Sequence, residues 1–469
     1  MIRQLLAEKY NKCTSFEDVR IKSDGRLKQL LKHVLTHSEF YKKHYAEQGI
    51  TLKDSDHLKI EDLPFTTKDL LMKNFDEVSS DPLLNIRDIG RYVKNNNDYH
   101  LWYKNKYKII KTSGCSGRYG VFIYDKQSWN ILRAITINRA SYVNVTPFKK
   151  NRLAVLVDTS GLHAGISLIG NVTKMFYDLL ILNVHEPQKT IIDKLNSFQP
   201  DILSGYANSI YLCAHEQLDC RLHIQPIQVG CSGEPLTHEA RDIIHKAFRV
   251  PPINMYGASE SICMANSSRQ CHNLHIAYDW NLIEVLDACE KKAQEEEIGN
   301  AVLTNLYNYS FPLIRYKMND RMSMRLNSCP DCGSVFPVIT KIEGRAEDLL
   351  KFIRRDGSEE YLFCSFMSLF NEPGIKSFRV IQKERNYLEI QLVLTDKNSA
   401  DATVNKLDND FKYLFSTKNL SRDVSYKFVF VDTISADTTT GKTTRIITFE
   451  KYQKQLSKNF VPQEVFESY

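Results

Sequence analysis

Pro226-Ile-Gln-Val-Gly230, a helical stretch opening at Thr237, and Ile253-Asn-Met-Tyr256 follow one another as strand, helix and strand. In the middle piece Ala240, Ile243, Ile244 and Ala247 recur at i, i+3, i+4 and i+7, the spacing of one apolar helix face. Thr237 stands where its hydroxyl can cap the first turn. Upstream, Leu153 to Val157 is an unbroken apolar run, which is how a strand buried on both faces reads. Strands alternating with helices predict an α/β fold with a largely parallel sheet covered on both sides.

The texture differs on either side of this centre. Residues 1 to about 105 interleave charged and apolar positions and read as largely helical, with Thr67 in Leu63-Pro-Phe-Thr-Thr-Lys68 placed as another N-cap. Beyond about residue 345, Ser377–Gln382 and Tyr387–Leu394 read as paired strands, followed by a helix over 400–416 and a strand from Tyr426 to Asp432. That predicts a large unit over 1–345 and a small α+β unit over 346–469, with the boundary near Gly344-Arg345.

Composition limits the function classes. The chain has 469 residues with 62 basic and 56 acidic side chains, a net charge of +6, and neither internal repeats nor low-complexity linkers. So mild a balance does not call for nucleic acid, and no apolar run reaches the roughly 18 residues that span a bilayer. The opening Met1–Arg20 carries charges where a signal peptide needs an apolar stretch, so a cytoplasmic location is expected. Eleven cysteines, an odd number in a reducing compartment, read mostly as buried thiols rather than a disulfide framework.

Lys111-Thr-Ser-Gly-Cys-Ser-Gly-Arg-Tyr-Gly120 packs hydroxyls and glycines behind an apolar, strand-like run. Glycines let backbone N–H groups approach a phosphate, and hydroxyls add donors, although a plain Gly/Ser turn has the same composition. It is not a Walker A loop, and neither is Thr440-Gly-Lys-Thr, where Ala436 occupies the position of the upstream glycine.

Further segments fall into a single order. Ser232-Gly-Glu-Pro-Leu, Tyr256-Gly-Ala-Ser-Glu260, Pro312-Leu-Ile-Arg-Tyr-Lys-Met-Asn-Asp320, Ile342-Glu-Gly-Arg-Ala-Glu-Asp348 and Thr440-Gly-Lys-Thr-Thr-Arg445 follow the glycine loop. With the Leu63–Lys68 phrase, they make the chain resemble adenylate-forming enzymes of the phenylacetate–CoA ligase and coenzyme F390 synthetase branch, over nearly its whole length. The resemblance implies a large N-terminal adenylation domain with mixed and parallel sheets covered by helices, and a small mobile C-terminal α+β domain that swings about Glu347 and Asp348.

It also implies roles. Thr112, Ser113, Gly114, Cys115, Ser116, Gly117 and Arg118 would hold the ATP phosphates, with Ser232, Gly233, Glu234 and Pro235 as a second wall of the nucleotide site. Tyr256 would flank the adenine beside Gly257, Ala258 and Ser259. Glu260 would ligate Mg²⁺, whose hard charge suits carboxylate and phosphate oxygens. Asp320 would accept both ribose hydroxyls, and Arg345 would sit near the ribose. Lys442 would bring its ammonium to the acyl and phosphate oxygens as the carboxylate attacks the α-phosphorus. Taken singly, each of these residues also has a plain structural reading, such as a residue after a strand, a surface ion pair or a loop lysine. Cys115, Arg118, Tyr119 and Glu347 depart from the usual pattern, but the Mg²⁺ carboxylate and the C-terminal lysine are kept.

Cys271-His-Asn-Leu-His275 and Cys329-Pro-Asp-Cys332 form two half-sites of the residue types Zn²⁺ prefers. Cys271, His275, Cys329 and Cys332 are the expected ligands of a structural zinc, with His272 and Cys263 as substitutes. Members of the resembled branch often carry a comparable set. His163, in Ser160-Gly-Leu-His-Ala-Gly165, lies where the branch's acyl-pocket loop runs and could orient the carboxylate or line the pocket, although a lone loop histidine also has a plain structural reading.

The function implied is ATP-dependent activation of a small carboxylic acid, aryl or other organic, as acyl-AMP, then transfer to the thiol of CoA or of a carrier protein's phosphopantetheine. An amine or hydroxyl acceptor is the alternative, and a zinc-bearing binding module a more distant one. Expected partners are the acid and the thiol donor, without nucleic acid or membrane. The oligomeric state, homodimer included, is left open.

Overall fold

The computed structural model describes residues 2–10, 13–96, 98–112, 120–143, 150–159, 161–169, 176–184, 186, 188–345, 350–357, 359–362, 366, 369–370, 374–396, 400–417, 420–435 and 444–459. The chain divides into two compact units, Met1–Ile342 and Glu343–Tyr469.

The first unit opens with helices α1 (Ile2–Tyr10), α2 (Phe16–His37), α3 (Glu39–Ala46), α4 (Lys68–Lys73), α5 (Phe75–Val78) and α6 (Ile86–Asn95). Thr67 does cap α4, its hydroxyl accepting the Leu70 N–H at 3.2 Å. An antiparallel hairpin follows, β1 (Tyr107–Lys111) and β2 (Val121–Asp125), then helix α7 (Lys126–Arg139).

The chain then alternates through β3 (Asn151–Val157), α8 (Ala164–Ile169), β4 (Tyr177–Asn183), α9 (Gln188–Phe198), β5 (Ile202–Tyr206), α10 (Ala207–Leu218), β6 (Gln228–Ser232), α11 (His238–Phe248) and β7 (Ile253–Ala258). These strands lie parallel in the order β4-β3-β5-β6-β7. All but one residue of β3 is buried, as its apolar run requires.

Two local differences from the sequence reading have simple causes. Strand β6 starts at Gln228, two residues after Pro226, which has no N–H for a ladder; Ile227 N instead donates to Asp201 O at 2.8 Å. Helix α11, capped by Thr237 as expected, buries Arg241, Ile244 and Phe248 rather than Ala240. The Arg241 guanidinium is held inward by His272, its Nη1 meeting the ring Nδ1 at 2.8 Å.

Six further strands extend the sheet without intervening helices: β8 (Ser261–Asn266), β9 (Leu274–Ile276), β10 (Asn281–Leu286), β11 (Gly299–Asn305), β12 (Tyr316–Arg325) and β13 (Val338–Arg345). The result is one mixed sheet of 11 strands in the order β10-β11-β12-β13-β9-β8-β7-β6-β5-β3-β4. It has a parallel half and an antiparallel half, with apolar clusters beneath the helices.

The second unit is α+β: hairpin β14 (Leu350–Ile353) and β15 (Glu359–Leu362), strands β16 (Ile375–Glu384) and β17 (Tyr387–Leu394), helix α12 (Ala400–Thr417), β18 (Ser425–Phe430), β19 (Ile446–Ile447) and helix α13 (Phe449–Asn459). Its larger sheet runs β18-β17-β16-β19 and closes over Phe352, Phe370, Phe378, Phe411 and Phe415.

Candidate functional site

The glycine-rich stretch is the loop of the β1–β2 hairpin. Its neck is drawn shut twice: Thr112 N donates to Gly120 O at 2.9 Å, and Gly120 N donates to Thr112 Oγ1 at 2.8 Å. Ser113, Gly114, Cys115, Ser116, Gly117 and Arg118 lie outside the described residues, so Thr112 is the member of the expected phosphate loop whose place is described.

A second turn follows β6. Gly233 takes φ +72°, a left-handed conformation glycine adopts at little cost, and Ser232 pairs with Tyr206 and Met255 on the neighbouring strands. The Glu234 carboxylate accepts the Asn208 N–H at 2.9 Å, at the first turn of α10. Negative charge is favoured there by the unpaired amides of the helix start.

The third turn joins β7 to β8 through Ser259 and Glu260. The register slips between Tyr256 and Ala258, and Gly257 sits in the irregularity. A Cβ on Gly257 would stand 1.9 Å from Ile262 O, so only glycine permits this approach. Three side chains pin the turn: Tyr124 OH donates to Ser259 O at 2.8 Å, Asn305 Nδ2 to Glu260 O at 3.3 Å, and Tyr316 OH to Glu260 Oε1 at 3.0 Å. Tyr124 stands on β2, so the strand leaving the glycine loop also holds the Glu260 turn. Burial, with the Glu260 carboxylate beside it, pushes the Tyr316 phenol well up, and it remains a donor at physiological pH.

Asp320 lies in an irregular stretch of β12: Val302 pairs with Lys317 but Asn300 with Arg321, so four steps of β12 face two steps of β11. Such bulges re-aim side chains. Asp320 Oδ2 accepts the Tyr256 hydroxyl at 2.5 Å. Glu260, Tyr256 and Asp320 are thereby linked through Tyr316 and the two strands that carry them. The Leu63–Lys68 phrase supports the same corner: Thr66 N donates to Arg315 O at 2.9 Å and Lys317 N to Thr66 O at 2.9 Å. Arg315, within the quoted Pro312–Asp320 segment, is spent on structure. It holds Glu284 with Nη2 at 2.8 Å and Nε at 3.1 Å, and Nη1 donates to Leu63 O at 2.7 Å.

His163 follows β3 with its Nε2 3.8 Å from the fully buried Asp158 Oδ2. The Asp158 N–H reaches the Tyr206 phenol oxygen at 3.4 Å, and burial pushes that phenol up to about 12. Lys442, Glu347 and Asp348 lie outside the described residues, as does the Arg345 side chain.

The cysteine–histidine half-sites do meet. One ligand atom from each of Cys271, His275, Cys329 and Cys332 lies within 4.8 Å of the others. Cys271 Sγ is 3.7 Å from Cys329 Sγ, and Cys332 Sγ is 3.3 Å from His275 Nε2. Tetrahedral zinc with bonds of about 2.3 Å to sulfur and about 2.0 Å to nitrogen sets sulfurs about 3.8 Å apart and sulfur from nitrogen about 3.5 Å. The donor set fits. Asn273 Nδ2 donates to Cys329 Sγ at 3.3 Å and to Asp331 Oδ2 at 2.7 Å, and the knuckle turns through Gly333 at φ +70°. The two named substitutes stand elsewhere. Cys263 is buried in β8, and His272 Nδ1 meets Arg241 Nη1 at 2.8 Å, tying α11 to this loop.

Neither Tyr316 nor Tyr124 was singled out by sequence. The signal for Tyr316 was its place inside the quoted Pro312–Asp320 segment.

Among solved structures, 2-hydroxyisobutyryl-CoA ligase in the postadenylation state with R3-HIB-AMP superposes with a TM-score of 0.70, at 17% identity, covering 94% of this chain and 92% of that one. The chain shares the fold of that ligase. No family model matches it. Protein CapK of Staphylococcus aureus is 23% identical over 414 residues, 87% of this chain and 85% of that protein. Phenylacetate-coenzyme A ligase of Thermus thermophilus is 23% identical over 347 residues, 71% of this chain and 72% of the enzyme. The phenylacetate–CoA ligase-like branch is consistent with these relatives. Among the described residues, no helix is long and apolar enough to cross a membrane.

Proposed function

We propose that this protein is an ATP-dependent carboxylic acid:thiol ligase. A carboxylate is a poor electrophile because its leaving group would be oxide. In the first half-reaction its oxygen attacks the α-phosphorus of ATP, the bond to the β-phosphate oxygen breaks, and pyrophosphate leaves. In the second, a thiol sulfur attacks the acyl carbon, loses its proton to solvent, and AMP departs with the former anhydride oxygen.

The residues take the following parts. Thr112 to Arg118 hold the phosphates, aided by the turn Ser232–Pro235. Tyr256 and the backbone of Gly257–Ser259 flank the adenine, Asp320 accepts the ribose hydroxyls and Arg345 lies beside them. Lys442 stabilises charge on the phosphate and acyl oxygens during adenylation, and withdraws as the small unit turns about Glu347–Asp348. His163 lines the acid side. Glu260 would hold Mg²⁺, which neutralises charge building on the leaving pyrophosphate. The four-residue cysteine–histidine cluster would hold Zn²⁺ in a structural role, every position being filled by protein.

One observation carries the reading. The hairpin neck at Thr112 and Gly120, the Glu260 turn and the Tyr256–Asp320 pair come from distant parts of the sequence and are joined by Tyr124 and Tyr316. That the described relatives include acid–CoA ligases supports it.

Pyrophosphate exchange into ATP across a panel of small acids, with mass spectrometry for acyl-AMP, tests the proposal. Acid-dependent exchange about tenfold above background is expected. No exchange and no acyl-AMP with any acid would overturn it. Trials with CoA, a phosphopantetheinylated carrier protein and simple amines then identify the acceptor.

A further inference from the structure

The hairpin ends on a lysine that none of these roles uses. Lys111 closes β1, and its backbone N–H donates to Leu162 O at 2.9 Å. Ile109 and Ile110 before it are buried, whereas the Lys111 side chain is half-buried and crosses toward the segment that follows β3. A Cβ on Gly161 would stand 3.6 Å from Lys111 Nζ and 3.8 Å from His163 Nε2, so ammonium and imidazole border one small space. Gly161, at φ +139°, keeps that space open.

The position within the sheet matters. Chain order runs β3 to β4 on one side and then returns to β5 on the other, so direction reverses between β3 and β5. Open parallel sheets take ligands outside the carboxyl ends of the strands flanking such a reversal. Asp158, Gly161 and His163 follow the carboxyl end of β3, and Tyr206 ends β5. Asp158 Oδ2 lies 3.8 Å from His163 Nε2. Among the described residues, no carboxylate lies within ion-pair distance of Lys111.

A half-buried ammonium with no carboxylate partner among the described residues is costly, and an anion entering this space recovers that cost. We propose that Lys111, with His163 beside it, is a specificity-determining residue, and that the acid substrate carries a second anionic group which this ammonium receives. This deepens the acid-adenylating reading and rests on it.

Matched pairs of acids test it: butyrate against succinate, pentanoate against glutarate, benzoate against isophthalate. For the wild-type chain, kcat/KM in pyrophosphate exchange should favour the diacid of at least one pair about tenfold or more. Lys111→Met should lower that ratio about tenfold, Lys111→Arg should retain most of it, and Lys111→Glu should invert it. Equal use of both members of every pair by the wild type would overturn the proposal. So would an equal loss for both members in Lys111→Met accompanied by a raised KM for ATP, which would assign the ammonium to nucleotide phosphate. If no acid supports exchange, the adenylation reading fails by itself. The anion subsite is then judged by a rise in Tm with diacids but not monoacids, without nucleotide; Lys111→Met must abolish that rise, and its absence in the wild type overturns the subsite.

Discussion

The Tyr256 hydroxyl donates to Asp320 Oδ2 across 2.5 Å, joining the β7–β8 turn to the bulged middle of β12. A hydrogen bond to an ionised carboxylate is worth about 1.5–3 kcal/mol, and both groups are partly buried, Tyr256 at the edge of the core. Asp320→Ala is expected to lower kcat/KM for ATP by a factor on the order of 100, and Tyr256→Phe by about 10. Thermal melts of both variants should stay within a few degrees of the wild type. A large fall in Tm with unchanged kinetics would show the pair to be merely structural.

Gly257 decides whether that pair can form. A methyl group there would press on the Ile262 carbonyl 1.9 Å away and force β7 from β8. Gly257→Ala should cost about 2–4 kcal/mol in denaturant unfolding. It should also remove acid-dependent exchange even at temperatures where the variant is folded, because Tyr256 and Glu260 sit on either side of the displaced backbone. Full exchange activity in a folded Gly257→Ala would contradict the geometry.

Much of this arrangement was legible in the residues, for identifiable reasons. Leu153–Val157 announced a buried parallel strand because no face of it is polar, and Thr67 and Thr237 announced helix starts because few residues cap so well. Strands β8 to β13 were not foreseen, since antiparallel pairs with no helix between them leave a weaker period than strand–helix alternation. The order of short motifs singled out Tyr256, Glu260 and Asp320. Tyr316 escaped notice because its work is to hold Glu260, a contact between residues 56 apart in the chain that no spacing reveals. Arg315 was quoted within its motif, but only the fold pairs it with Glu284. Lys111 opens the quoted glycine-rich stretch, but only the fold brings Gly161 and His163 beside it.

The cysteine–histidine cluster makes a stoichiometric prediction. Protein prepared without chelator should carry about one zinc per chain by elemental analysis, and Cys332→Ser should lose most of it. Because bound metal stabilises the folded state through its affinity, removal with a strong chelator should lower Tm by on the order of 5 °C, with recovery on adding zinc. Loss of metal without any change in melting would detach the cluster from the stability of the large unit.

Lys442 offers a test that separates the two half-reactions. An ammonium that stabilises charge as the acid attacks phosphorus has no such task when acyl-AMP is supplied ready-made. Lys442→Ala is therefore expected to depress acyl-AMP formation by about 100-fold or more, and thioester formation from added acyl-AMP by less than about tenfold. Rapid-quench measurement of each half-reaction decides it. Equal losses in both would contradict the assigned role.

The large unit also holds a buried ionic junction whose behaviour with pH has a definite sign. Arg139 grips Asp279 with Nη1–Oδ1 at 2.7 Å and Nη2–Oδ2 at 2.8 Å, and Nη2 also donates to Glu8 at 2.8 Å. Arg26 lies 3.2 Å from Asp279 Oδ2, and Trp280 Nε1 donates to Glu8 Oε1 at 2.8 Å. Helices α2 and α7 thus meet on the Asp279 carboxylate, and α1 joins them through Glu8 and Arg139. Burial by itself would raise the pKa of Asp279, but the two guanidiniums outweigh it and hold it below the usual carboxylate range. The folded chain therefore binds this proton less readily than the unfolded chain, whose Asp titrates near about 3.9. The contribution is fully present above that value and is lost as pH falls through the lower folded-state pKa. Asp279→Asn should cost about 3–5 kcal/mol at pH 7, since it leaves buried guanidinium charge uncompensated. Its stability should also fall less steeply than that of the wild type below pH about 4. Denaturant titrations between pH 7 and 3 measure both, and parallel acid limbs for the two proteins would refute the depressed carboxylate.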